Sequence, residues 1–139
     1  MTRINLVPPE ELHKKHLVAE YHELPRVFTY VRMQLAKGKD PAKIKAPTEY
    51  TMGDGHVKFF YTRLGFLLNR QADLIIEMTR RKIKVRFDDV KGLAEGIPDH
   101  LMGDYEPTPE ALAINRERLA QRLAEMEQKP KRPVPSHLD

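Results

Sequence analysis

Between residues 17 and 35 the apolar side chains Leu17, Tyr21, Leu24, Phe28, Val31 and Leu35 recur at intervals of four, three, four, three and four residues. A strand needs a period of two, whereas this alternation keeps one stripe along a helix for about five turns. The stretch therefore has to be helical and has to lie against a core. Pro8-Pro9 opens it, with Glu10 and Glu11 in the first turn and Leu12 at the start of the apolar series. Pro25 falls in its middle. Proline has no N–H to bond the carbonyl four residues earlier, so a kink is expected there, with the Tyr21 carbonyl left free.

The rest of the chain follows the same logic. AKGKDP stops the first helix, and residues 38–54, with two Pro and two Gly, read as a connecting loop. A second helix is expected to begin around GDGHVKFFY and to end at Arg80-Arg81, with Val57, Phe60, Tyr61, Leu64, Leu67, Leu68, Ile75 and Met78 on a broad apolar face. IKVRF, residues 83–87, alternates like a strand but has no partner to pair with, and reads as extended loop. Thr108-Pro109-Glu110 supplies an N-cap, a Pro at the first helical position and an acidic first turn. A third helix then runs to about Met126, burying Leu112, Leu119, Leu123 and Met126. The fold class expected is all-α, a single compact domain of three main helices with connecting loops. With 139 residues the chain has room for one core. The helical domain is placed at residues 1–127 and a basic, Pro-rich, unstructured tail at residues 128–139.

Several function classes drop out on composition. No stretch approaches the ~20 apolar residues of a membrane span, and MTRINLVPPEEL has no apolar signal region, so a cytoplasmic protein is expected. The absence of Cys removes disulfides, thiolate catalysis and cysteine zinc sites. A net charge of +4 permits a polyanionic partner without requiring one, but Lys and Arg recur in local groups: Lys14-Lys15, Lys37 to Lys45, Arg80 to Arg86, Arg116 to Arg122 and Lys129 to Arg132.

Chemistry concentrates on the first helix. His16, Glu20 and Glu23 are four and three residues apart and share one face, and Arg26 continues the line. Such a set could ligate a metal, but a bundle di-metal site wants Glu-x-x-His pairs on partner helices, and neither later helix has one; no metal and no cofactor is expected. The ordinary alternative is a solvated face with intrahelical ion pairs.

The other candidate is the N-terminus. Thr2 after Met1 is a small second residue that normally allows removal of the initiator Met, which would expose an α-amino group next to Arg3. With a pKa of ~7.7–8.0, roughly a tenth to a sixth of such an amine is neutral and nucleophilic at pH 7. In a chain without Cys or a nucleophile-elbow motif it is the best-placed covalent nucleophile, and a nearby acidic residue could assist it.

MTRINL, HLVAEYHELPRVF, GDGHVKFFYTRLGFLLNRQ and the later GDY followed by the AINRERL helix stand in order over most of residues 1–126. Together they resemble the pyrimidine dimer DNA glycosylases, the phage-type endonuclease V enzymes that act on ultraviolet damage. The resemblance implies a three-helix, metal-independent DNA repair enzyme, monomeric and nucleoid-associated, acting on double-stranded DNA that contains pyrimidine dimers or abasic sites. It implies that the α-amino group of Thr2 attacks the sugar of the 5′ nucleotide of the dimer, that the base leaves, and that the resulting imine permits strand cleavage by β-elimination. Glu23 matches the family's catalytic carboxylate. Arg3, His16 and Arg26 fall on positions that hold DNA phosphates and the damaged sugar, and Arg118 and Arg122 match phosphate-binding positions, Arg122 standing where Lys is usual. Such enzymes bend DNA and extrude a nucleotide, in this family the one opposite the lesion.

Three positions depart from the pattern. His22 stands where the family has a phosphate-binding Arg, which makes that contact sensitive to pH near neutrality, and Met33 stands where Lys is expected. The aromatic cluster that ends phage-type members is replaced by EQKPKRPVPSHLD, and the chain has no Trp. Imine chemistry on another damaged base therefore remains open, as does a non-enzymatic basic DNA-binding protein. His56 in GDGHV reads as a capping or packing residue more than a catalytic one, and Phe59, Phe60, Tyr61 and Phe66 as core more than a base-stacking platform.

Overall fold

The computed structural model describes residues 2–128. The helix start expected at Pro8-Pro9 is a 3-10 turn over Pro9–Glu11, ended by extended Leu12; helix α1 begins later and spans Lys14–Glu23, and Pro25–Ala36 form α2. The stripe expected to run along one kinked helix thus spans two helices, joined at Leu24, which itself keeps helical angles at φ −55° and ψ −42°. The break follows from Pro25: with no N–H there, the Tyr21 carbonyl loses its intrahelical donor, and Gln71 Nε2 donates to it instead at 3.0 Å. Leu17, Tyr21, Leu24, Phe28 and Val31 are all buried across the junction, with Leu35 packed at the edge. Leu24→Ala, at the junction, would cost about 2–5 kcal/mol of stability.

The second helix starts later than its apolar pattern suggested. Residues 53–55 and 58–60 make short 3-10 turns, and α3 spans Leu64–Arg80. Gly53, at φ +82°, begins this segment in a conformation open to glycine but strained for other residues. The start of α3 is held from outside: Phe66 N–H donates to the Gly103 carbonyl and Gly103 N–H to the Thr62 carbonyl, both at 3.1 Å. That approach needs a glycine at residue 65, where a Cβ would meet the Met102 carbonyl oxygen at 2.6 Å. Phe59, Phe60 and Tyr61 are buried and Phe66 packs against them, as the core reading expects.

Residues 83–87 are extended without pairing, and the buried Tyr21 hydroxyl gathers them by accepting from the N–H groups of Arg86 (3.0 Å) and Phe87 (2.9 Å). A short helix unforeseen in the sequence, α4, covers Val90–Leu93. Helix α5 runs Pro109–Gln128, and Thr108 Oγ1 caps it by accepting from Ala111 N–H at 3.1 Å. On its inner face Leu119 is buried and Leu112, Leu123 and Met126 are partly so. Among the described residues there is no strand, and no helix is long and apolar enough to cross a membrane. Of the tail expected from residue 128, Gln128 still belongs to α5, and residues 129–139, like Met1, lie outside the described residues.

Candidate active site beside the N-terminal run

Residues 4–7 enter the core as an irregular run, all buried, with no neighbouring strand to bond them. Buried backbone groups must find partners, and here side chains from four parts of the chain supply them. His56 Nε2 accepts from Ile4 N–H at 2.8 Å, and Tyr50 donates its hydroxyl to the Ile4 carbonyl at 2.7 Å. Asn115 Oδ1 accepts from both Leu6 N–H (2.6 Å) and Val7 N–H (3.1 Å), and Arg70 donates to the Val7 carbonyl at 2.6 Å. His56 therefore carries its proton on Nδ1, which faces the Thr51 carbonyl at 2.8 Å, and burial lowers its pKa below the usual histidine range. Its backbone N–H closes the 3-10 turn of residues 53–55 on the Gly53 carbonyl, while its ring holds the N-terminal run.

Glu20 lies beneath this run. Arg70 donates to its Oε2 at 2.8 Å and to its Oε1 at 3.1 Å, and Asn5 Nδ2 donates to Oε1 at 2.9 Å. The ion pair expected at Glu20 exists, but its partner is 50 residues away and both side chains are buried, so the solvated intrahelical arrangement does not apply. Asn115 Nδ2 completes the network by donating to Asn5 Oδ1 at 2.8 Å.

Glu23, three residues on from Glu20, comes out at the rim of a cavity of about 830 Å³ whose lining also includes Arg3, His16, Arg122 and Glu125. Arg3 N–H donates to Glu23 Oε1 at 3.2 Å, which places the half-buried Thr2 directly beside this carboxylate. Charges of both signs meet here, since Glu20 lines the cavity as well. Burial first, then the Arg118 and Arg122 guanidinium groups, lower the pKa of Arg3. Burial lowers that of His16 too, helped by His13, Arg3 and Arg122, which favours the neutral ring. His16 Nδ1 and Arg118 Nε are buried with no hydrogen-bond partner among the described residues. A phosphate entering here would meet several donors and would raise the proton affinity of His16.

The structure thus brings Arg3, His16, Glu23 and Arg122 to one cavity, with Thr2 next to Arg3 in the chain and Arg118 near enough to Arg3 to lower its pKa. It does not bring His22 or Arg26 there: both are exposed and neither lines the cavity, His22 packing edge-on to Tyr21 with ring centroids 4.9 Å apart. Any contact they make with DNA is on the outer surface of α1 and α2. Sequence reasoning missed Asn5, Tyr50, Arg70 and Asn115. Two of these left a signal, since Arg70 sits between Leu67 and Leu74 and Asn115 between Ala111 and Leu119 in the buried registers of α3 and α5. A polar residue in an apolar stripe needs a buried partner.

The family model for pyrimidine dimer DNA glycosylase matches residues 1–90. The chain belongs to that family. The match covers α1, α2, α3 and the clamp residues Tyr50, His56 and Arg70, so DNA repair by a pyrimidine dimer glycosylase is the general activity of this fold, with damaged DNA as its substrate. Asn115, Arg118 and Arg122, all on α5, lie beyond the matched residues.

Proposed function

We propose that this member of the family releases the 5′ base of a cyclobutane pyrimidine dimer through an imine with its N-terminal amine and then cleaves the strand at the abasic site. The observation that carries the reading is the Arg3 N–H to Glu23 bond of 3.2 Å at the head of a buried run held by His56, Tyr50, Asn115 and Arg70. Once Met1 is removed, the amine of Thr2 lies one residue before the N–H that Glu23 holds, beside a cavity that Arg3 and Arg122 also line.

Its lone pair forms a bond to the anomeric carbon of the 5′ nucleotide as the glycosidic bond breaks, and the base leaves with that electron pair and takes up a proton. Glu23 stabilises positive charge as it develops at the sugar and accepts or returns protons. Opening of the sugar gives the imine, whose withdrawal of electrons acidifies the neighbouring sugar C–H. Loss of that proton expels the 3′ phosphate by β-elimination, and water releases the enzyme from the product. Arg3, Arg118 and Arg122 hold the phosphates on either side, and His16 gives a neutral hydrogen bond that strengthens on protonation. His22 and Arg26 contact the backbone from outside the cavity. No metal or cofactor takes part, and the enzyme acts as a monomer.

Borohydride trapping on an end-labelled duplex with a single thymine dimer, beside abasic and undamaged duplexes, tests this. A covalent adduct with dimer and abasic DNA, lost on acetylating the N-terminus, is the expected result. No adduct with either would leave a DNA-binding helical protein. A second reading, the same chemistry on a different damaged base, is favoured by the lack of Trp and of an aromatic cluster in EQKPKRPVPSHLD; an adduct with abasic DNA alone would select it.

A further inference from the structure

The strongest grip on the N-terminal run comes from outside the family match. Asn115 is fully buried on α5, and its one amide engages three consecutive residues: Oδ1 takes the N–H groups of Leu6 and Val7 while Nδ2 donates to Asn5 Oδ1. Asn5 in turn reaches Glu20 on α1, the helix that carries Glu23. Without an acceptor at residue 115, two buried backbone donors would be orphaned and the run would have to move to satisfy them. Arg118 and Arg122 follow on the same helix, so the phosphate-facing side chains and the anchor of the run share one rigid element.

We propose that Asn115 is a positioning residue for the N-terminal amine: by pinning residues 5–7 to α5 it fixes the placement of residue 2 over the Glu23 carboxylate. The inference rests on the amine chemistry proposed above. Nucleophilic attack tolerates little error in placement, and a shift of about 1 Å can cost on the order of 100-fold in rate.

The test compares wild type, Asn115→Ala and Asn115→Asp as full-length chains. Three quantities are read: the single-turnover rate of borohydride trapping on saturating abasic duplex, the affinity for that duplex without borohydride, and Tm. Asn115→Ala is expected to bind DNA nearly as wild type does and to trap on the order of 100-fold more slowly. Asn115→Asp keeps an acceptor for both N–H groups but buries a charge, so it should recover most of the rate while melting no higher than the alanine variant. Rate would then follow the retained acceptor and not stability. Trapping by Asn115→Ala at the wild-type rate, or rates in both variants that fall in step with Tm, would overturn the proposal; if the alanine variant does not fold, the aspartate variant decides by the same comparison. Absence of an adduct with wild type is a different failure, since it overturns the amine reading itself and this proposal with it.

Discussion

Glu20 and Glu23 stand one turn apart on the same helix and have opposite fates. Glu20 is buried, and its carboxylate is bonded by Arg70 and Asn5 in a network that also takes up Asn115. Glu23 is half-buried and lines a cavity together with Arg3, Arg122 and Glu125, where burial first, then the Arg118 and Arg122 guanidinium groups, lower the pKa of Arg3. A buried charge paired with a buried guanidinium is a structural device, because removing its partner costs more than the pair contributes. A cluster of like charges held together without full compensation lowers stability, and it persists where a ligand of opposite charge completes it. The two carboxylates separate the part of the molecule that positions the N-terminus from the part that meets DNA.

The contrast is sharpest in substitutions. Glu23→Gln should lower base release by about 10²- to 10⁴-fold while leaving dimer binding and Tm near wild type; quench-flow with a dimer duplex beside thermal melts would show it, and full turnover would remove Glu23 from the chemistry. Arg70→Met should do the reverse, costing about 3–5 kcal/mol of stability by stranding Glu20, and the double change Glu20→Leu with Arg70→Met should recover part of that loss in denaturant titrations. An equal effect of Glu23→Gln and Arg70→Met on stability would erase the distinction.

A third prediction concerns acid stability. Glu77, bonded by Arg80 and Arg81 at the end of α3, has its pKa pulled down from 4.5 to about 2. A carboxyl more acidic in the folded than in the unfolded chain stabilises above its unfolded pKa and loses that contribution as pH falls through its folded one. Stability should therefore decline between pH 4.5 and about 2, and Glu77→Gln should flatten that part of a Tm-against-pH curve while leaving DNA affinity alone. The smallest effect belongs to the cavity's edge. Arg122→Ala should reduce the slope of log affinity against log salt by about 0.9 if Arg122 neutralises one phosphate, measured on undamaged duplex; an unchanged slope would place Arg122 away from the backbone.

Much of the architecture was legible because its signals are local. The four-and-three spacing located α1 and α2, Pro25 marked their junction, and Thr108-Pro109 marked the start of α5. The late start of α3 was not legible: the apolar spacing continues back through residues 57–61, but Gly53, Gly55 and the docking of residues 102–103 favour 3-10 turns there. Within the candidate site, Glu23 and the N-terminus could be paired only through the family motif, because the contact that joins them spans 20 residues.

What the sequence determined by itself, then, was the bodies of the long helices, most of their buried faces and the charged types on α1. Periodicity, caps and proline act within a turn or two of chain, so they leave their mark in the residues themselves. Only the tertiary structure decided that Glu20 is sealed by Arg70, that Gln71 serves the carbonyl Pro25 abandons, and that Asn115 reaches Asn5 across 110 residues. Those bonds form because polar groups buried without a regular partner must find one wherever the packed helices present it.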